Sequence, residues 1–175
     1  MTRAIESTEA APLCLRRARF EDVSALLRLI EEAVEHGCRE HYGPAQRRAV
    51  FLTYAESLFV DVIQPFDTIL AERKDRILGV AQLDPTAGRL RALFVASALQ
   101  GRGLGRVLLT AVERLARAHR LRAIEGAMSL NAVGFYRRAG FESRRGPEQL
   151  VRAGVVVPII NMQKALTTDP GDSRR

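Results

Sequence analysis

The stretch QGRGLGRVLL, residues 100–109, constrains this chain more than any other. Gly101, Gly103 and Gly105 alternate, Arg102 and Arg106 stand among them, and an apolar run begins at once. The preceding RLRALFV (89–95) reads as a strand. The following run puts Leu108, Ala111, Val112 and Leu115 on one helical face. Strand, glycine-rich loop and helix in that order make an anion site. The first N–H groups of a helix lack intrahelical partners, and the helix dipole adds positive potential at the same end. Glycine lets the backbone approach a ligand closely. Phosphate is the natural guest, and Arg102 and Arg106 would add charge-assisted bonds. A simple tight turn explains one glycine and not the alternation. The pattern GxxxxGK[ST] is absent, and GxGxxG fails because Arg106 and Leu108 occupy its third glycine position. What remains is Gln100-x-x-Gly103-x-Gly105.

The rest of the chain supplies a mixed α/β frame. LCLRRA (13–18) is a short strand candidate. Residues 21–36 carry Val23, Leu26, Leu27, Ile30, Ala33 and Val34 at helical spacing, with Glu21 and Asp22 in the first turn and Gly37 at the end. Residues 45–63 form a second helical region, expected in two pieces and closed by Pro65. DTILAE (67–72), ILGVAQL (77–83) and RLRALFV (89–95) make an antiparallel meander through short polar turns. After the glycine loop and its helix come a strand at 122–129 and a short helix at 131–140 stopped by Gly140. Two last strands, from Phe141 and at 154–163, make a hairpin with a long, Arg-rich connection. Pro158 in it signals a bulge or an edge. One domain is expected over residues 12–165, with loose tails at 1–11 and 166–175.

Composition narrows the class. Hydrophobic content of 47% and charged content of 27% are those of a globular chain. No apolar run reaches the ~20 residues of a membrane span, and the first residues lack a signal peptide's apolar region. Cys14 and Cys38 make no disulfide framework. A cytoplasmic protein with two thiols is expected. Formal net charge is +7, which suits an anionic partner. Because Lys74 and Lys164 are the sole lysines, an arginine-rich composition is the plainer explanation. Nucleic acid is not the favoured partner, since no basic tract alternates with aromatics. His36, Cys38 and His41 lie close together in HGCREH, but the spacing is no recognised zinc pattern and lacks a fourth ligand. No metal is expected.

LFVASALQGRGLGRVLLTAVERLAR resembles the acetyl-CoA-binding segment of the GNAT (GCN5-related) N-acetyltransferase family, with its Q/R-x-x-G-x-G/A signature. SLNAVGFYRRAGF (129–141) resembles the family's second motif, N-A-x-x-F-Y-x-x-x-G-F, in the right order. TILAERKDRILGVAQLDP matches the family's central hairpin, and the resemblance runs over about residues 13–164.

The resemblance implies a mixed, mostly antiparallel central sheet flanked by helices on both faces. It implies acetyl-CoA as acetyl donor and a primary amine of a small molecule or protein as acceptor. Homodimers are common in the family. By analogy, acetyl-CoA lies where two central strands splay apart. Backbone at Phe94 or Val95 then meets the pantetheine arm and thioester oxygen. Gln100, Gly101, Arg102, Gly103, Leu104, Gly105 and Arg106 hold the pyrophosphate. Asn131 either contacts the cofactor or caps a helix. Tyr136 occupies the family's general-acid position; its bland alternative is an aromatic that shapes the tunnel. The base stays open among Glu125, Asp84, Glu72 and an ordered water, since Ala127 stands where many relatives are acidic. Ser97 stands where many have Pro. The acceptor pocket is expected from residues 36–60 and 143–155, with Glu40, Tyr42, Glu56, Arg144, Arg145 and Glu148, and without an acidic cluster. The alternative function is an acetyl-CoA-binding sensor or interaction module without transferase activity.

Overall fold

The computed structural model describes residues 11–61 and 66–166, with the backbone alone for residues 56–61. The expected tails, apart from Ala11 and Leu166, lie outside the described residues, as do Pro65 and the side chain of Glu56.

Eight strands form one sheet: β1 Cys14–Arg17, β2 Asp67–Arg73, β3 Arg76–Asp84, β4 Arg89–Val95, β5 Ala123–Ser129, β6 Glu142–Ser143, β7 Glu148–Arg152 and β8 Val155–Ala165. Their order is β1-β2-β3-β4-β5-β8-β6, with β7 also paired to β8. Every pairing is antiparallel except β4 with β5, which is parallel. The helices are α1 Val23–Gly37, α2 Pro44–Asp61, α3 Leu104–Ala118 and α4 Val133–Arg138. This is the mixed, mostly antiparallel sheet flanked by helices that the motifs imply.

Alternation along the strands divides the core between two faces. Leu70, Val80, Val157 and Ile159 pack with Leu26, Ile30 and Val34 of α1. Ala71, Ala81, Leu83, Ile160 and Met162 pack with Leu108, Leu109 and Val112 of α3 and with Tyr136 and Phe141. The apolar stripes of α1 and α3 recur at three- and four-residue spacing, so each helix buries one face.

Two local expectations change. The second helical region is one helix over Pro44–Asp61, not two pieces. A helix interior without Pro or Gly has no reason to break. The Arg-rich connection contains a strand of its own, β7, joined to β8 by the two-residue turn Ala153–Gly154, both at positive φ. Pro158 sits, as one of its two expected alternatives has it, at an edge and not at a bulge: β7 runs past it in unbroken register, and β8 outruns β5, whose last partner is Ile159.

Candidate active site

β4 and β5 share a single registered pair, Arg89↔Glu125. Beyond it β5 pairs on its other side with β8 as far as Ser129↔Ile159, while β4 pairs with β3 as far as Val95↔Gly79. The two central strands therefore diverge toward their C-terminal ends. The gap opens into a cavity of about 760 Å³ lined by both strands, by α2, by Tyr136 and by the β6–β8 segment.

Strand alternation decides which β4 groups face the gap. Ala96 N–H donates to Leu78 O of β3 at 2.9 Å. By the two-residue repeat of an antiparallel ladder, Phe94 also turns its backbone polar groups to β3, and Leu93 and Val95 turn theirs toward β5. Of the two expected backbone positions, geometry thus favours Val95. Phe94 instead packs its ring edge-on against Tyr54 of α2, centroids 4.8 Å apart. Val95 O is met by Gln100 Nε2 at 3.3 Å, so Gln100 steadies the end of β4.

The loop 100–106 takes the form its glycines allow. Gly101 and Gly103 have φ of +73° and +88°, a region costly for side chains, and a Cβ on either would point into open space. Gly105 differs: its φ is not in the left-handed region, and a Cβ there would make ordinary contact with the Phe135 ring at 3.4 Å. Two of the three alternating glycines therefore meet a backbone requirement. Among the described residues, the N–H groups of Gly101, Gly103, Leu104 and Gly105 take no backbone acceptor; those of Arg106 and Val107 turn back to Gly103 O. The Leu104 side chain is buried and anchors the helix start. Arg102 and Arg106 are exposed. Arg106 reaches Arg138 O at 3.4 Å, and Arg102 borders a second, smaller cavity with Leu13 and Arg73.

Asn131 does not cap a helix, because Ala132 holds that place before α4. Its Oδ1 accepts from the Cys38 thiol at 3.4 Å. A Cβ on Gly37 would lie 3.7 Å from Asn131 Nδ2 and 3.2 Å from Gln100 Nε2, so the end of α1, Gln100 and Asn131 converge. Burial pushes the Cys38 thiol up to about 11, which keeps it protonated and unreactive. His36 turns to Glu32 O.

Tyr136 is 5% exposed, and its ring meets Phe135 and Phe141 edge-on at 5.0 and 5.3 Å. Both bland and chemical readings fit this placement: the ring is core, and the residue also lines the cavity. Burial raises its hydroxyl above the usual tyrosine range, with the nearby Tyr54 adding to the rise. Its proton is therefore held throughout the physiological range.

The base candidates separate. Asp84 is spent on its own turn, accepting from Thr86 N, Thr86 Oγ1 and Ala87 N. Glu72 accepts from Arg16 on the far side of the meander at 2.8 Å. Glu125 lines the cavity but is paired with Arg89 at 3.1 Å. Of the expected acceptor-pocket residues, Tyr42, Arg144, Arg145 and Glu148 line the cavity.

Tyr42 does more than its sequence position signalled. Its hydroxyl donates to Pro158 O at 2.6 Å and accepts from Leu130 N–H at 2.9 Å. It thereby ties the α1–α2 loop to β8 and to the segment entering α4. Sequence reading also passed over Arg91. The register shift at Gln82/Leu83 leaves Arg91 as the extra residue of β4. A bulge re-aims a side chain, and Arg91 lines the cavity with its guanidinium 4.8 Å from the Phe66 ring centroid.

A parted parallel strand pair, a loop at a helix start whose described N–H groups take no backbone acceptor, and a protonated tyrosine beside the gap are what an acyltransferase of the acyl-CoA-using class would need. The family model for the acetyltransferase (GNAT) domain matches residues 31–166, and the chain belongs to the GNAT acetyltransferase family. Acetyl transfer from acetyl-CoA is the chemistry of that class. Solved structures agree on the fold. The GCN5-related N-acetyltransferase from Rhodopseudomonas palustris is 23% identical, with a TM-score of 0.81 over 90% of this chain and 98% of that one. PaiA N-acetyltransferase from Thermoplasma acidophilum, in complex with coenzyme A, is 17% identical, with a TM-score of 0.72 over 88% and 99%. YncA from Salmonella typhimurium, solved with acetyl-CoA, is 19% identical, with a TM-score of 0.60 over 91% and 96%. No curated protein matches the chain.

Proposed function

We propose that this protein is an N-acetyltransferase that moves the acetyl group of acetyl-CoA directly to a primary amine. The parting of β4 from β5 beyond Arg89↔Glu125 is the observation that carries this reading. It leaves Leu93 and Val95 with backbone groups that a bound chain can take up. Acetyl-CoA supplies the acyl group as a reactive thioester. The N–H groups of Gly101, Gly103, Leu104 and Gly105 hold its pyrophosphate, with Arg102 and Arg106 adding charge. Asn131 and Gln100 line the approach. Val95 N–H stabilises negative charge as it develops on the thioester oxygen. The acceptor nitrogen bonds to the acyl carbon as the carbon–sulfur bond breaks. Tyr136 gives its phenolic proton to the departing sulfur and recovers one from solvent. The proton lost by the amine leaves to solvent or to a base. A cytoplasmic site of action and a single domain over 12–165 belong to the same reading.

Acetyl-CoA at a hundred times its dissociation constant should add about 2.7 kcal/mol, or about 5–10 °C in Tm at this chain length. NADH and ATP serve as controls. Gly103→Val costs about 1–2 kcal/mol of backbone strain. It should leave a folded protein that acetyl-CoA no longer stabilises. A normal shift in that variant would show the loop assignment to be wrong. A wild-type protein that acetyl-CoA stabilises, but that releases no CoA with any amine, would favour the sensor alternative.

A further inference from the structure

We infer that the acceptor amine carries an anionic group, a carboxylate or a phosphate, held by Arg144, Arg145 and Arg152. The inference rests on the acetyltransferase reading and names its substrate class. Five arginines and two glutamates line the described part of the cavity. Both glutamates are engaged: Glu125 with Arg89 at 3.1 Å, and Glu148 with Asn161 Nδ2 at 2.7 Å. Among the described residues, Arg144, Arg145 and Arg152 take no carboxylate partner. They come from the turn before β7 and from its last residue, so against the one carboxylate of Glu148 the β6–β8 segment presents three guanidinium groups and a net positive charge to the cavity.

Two consequences follow from that sign. A polyamine would bring further positive charge into a positive, partly enclosed space, where like charges repel more strongly than in water. An amine bearing an anion reverses the interaction, and the planar guanidinium fork matches both carboxylate and phosphate. The second consequence concerns the proton. Nearby cations disfavour the ammonium form and lower the pKa of an amine placed among them. The arginines thus raise the share of acceptor that can attack, in a site whose described carboxylates are already engaged.

The test uses the full chain, acetyl-CoA and a thiol reagent that reads CoA release. Matched amines separate the terms: glycine, aspartate and glutamate against their amides, O-phosphoethanolamine against ethanolamine, and spermidine. The carboxylate pairs and the phosphate pair distinguish the two sources of anion. At least one anionic amine should exceed its neutral partner in kcat/KM by about tenfold or more, the scale of a charge-assisted bond. Arg152→Gln and the double variant Arg144→Gln/Arg145→Gln should reduce that preference through KM, and Arg152→Lys should restore part of it. Circular dichroism checks that each variant is folded. Turnover confined to neutral amines or spermidine, turnover of no anionic amine, or a preference that survives every arginine variant overturns the inference. The acetyl-CoA thermal shift, read in parallel, keeps the two failures apart. A normal shift leaves the acetyltransferase reading standing, and its loss removes both.

Discussion

Two hydroxyls in one cavity stand in different surroundings, and single-atom substitutions separate them. Tyr136 has no hydrogen-bond partner among the described residues, and burial holds its proton. Tyr136→Phe should lower kcat by about 10²-fold or more, the usual scale of a general acid. The acetyl-CoA thermal shift should stay within experimental error. Because the hydroxyl is raised, its ionisation places no basic limb on the kcat profile below about pH 10. An unchanged kcat would reduce Tyr136 to packing. Tyr42 is the contrary case, with both hydrogen-bonding roles of its hydroxyl in use. Tyr42→Phe strands a carbonyl and an N–H and should cost about 1–3 kcal/mol in denaturant unfolding. The motif pointed to Tyr136, and the structure places it beside the cavity. Tyr42 was legible only as a pocket residue, because its partners Pro158 and Leu130 are distant in sequence and adjacent only in the fold. Arg91 was illegible for a related reason: a bulge depends on the register of two strands, and one strand's sequence does not contain it.

At the scale of elements, periodicity did most of the work. The stripes of α1 and α3 and the meander β2–β4 follow directly from apolar spacing and polar turns. The glycine loop also reads correctly as strand, loop and helix, with a backbone requirement met at Gly101 and Gly103. Apart from the unbroken α2, the difference lies after Phe141. There the short β6, the half-buried β7 and the arginines between them dilute the apolar alternation that marks a strand. The turn that closes this hairpin carries a residue poorly suited to it. Ala153 has φ of +44°, where Asn and Gly are preferred. Ala153→Asn should raise stability by about 0.5–1 kcal/mol, measured by thermal or urea unfolding. A loss would mean that the turn does not keep this geometry in solution.

At the scale of the molecule, the sheet is one object by count and two by connection. β1–β4 and β5–β8 meet at Arg89↔Glu125 and then part, with α3 and the helices of the other face packed across them. Amide hydrogen exchange should register this as a comb along β4. Phe94 and Ala96, turned to β3, should exchange slowly with or without ligand. Leu93 and Val95, turned to the gap, should exchange fast in the free protein and slow when acetyl-CoA is added. Uniform protection along β4 in the free protein would mean that the strands close in solution. A comb that fills on addition of acetyl-CoA would mean that the protein leaves a row of its own ladder unwritten, and that its substrate is the missing line.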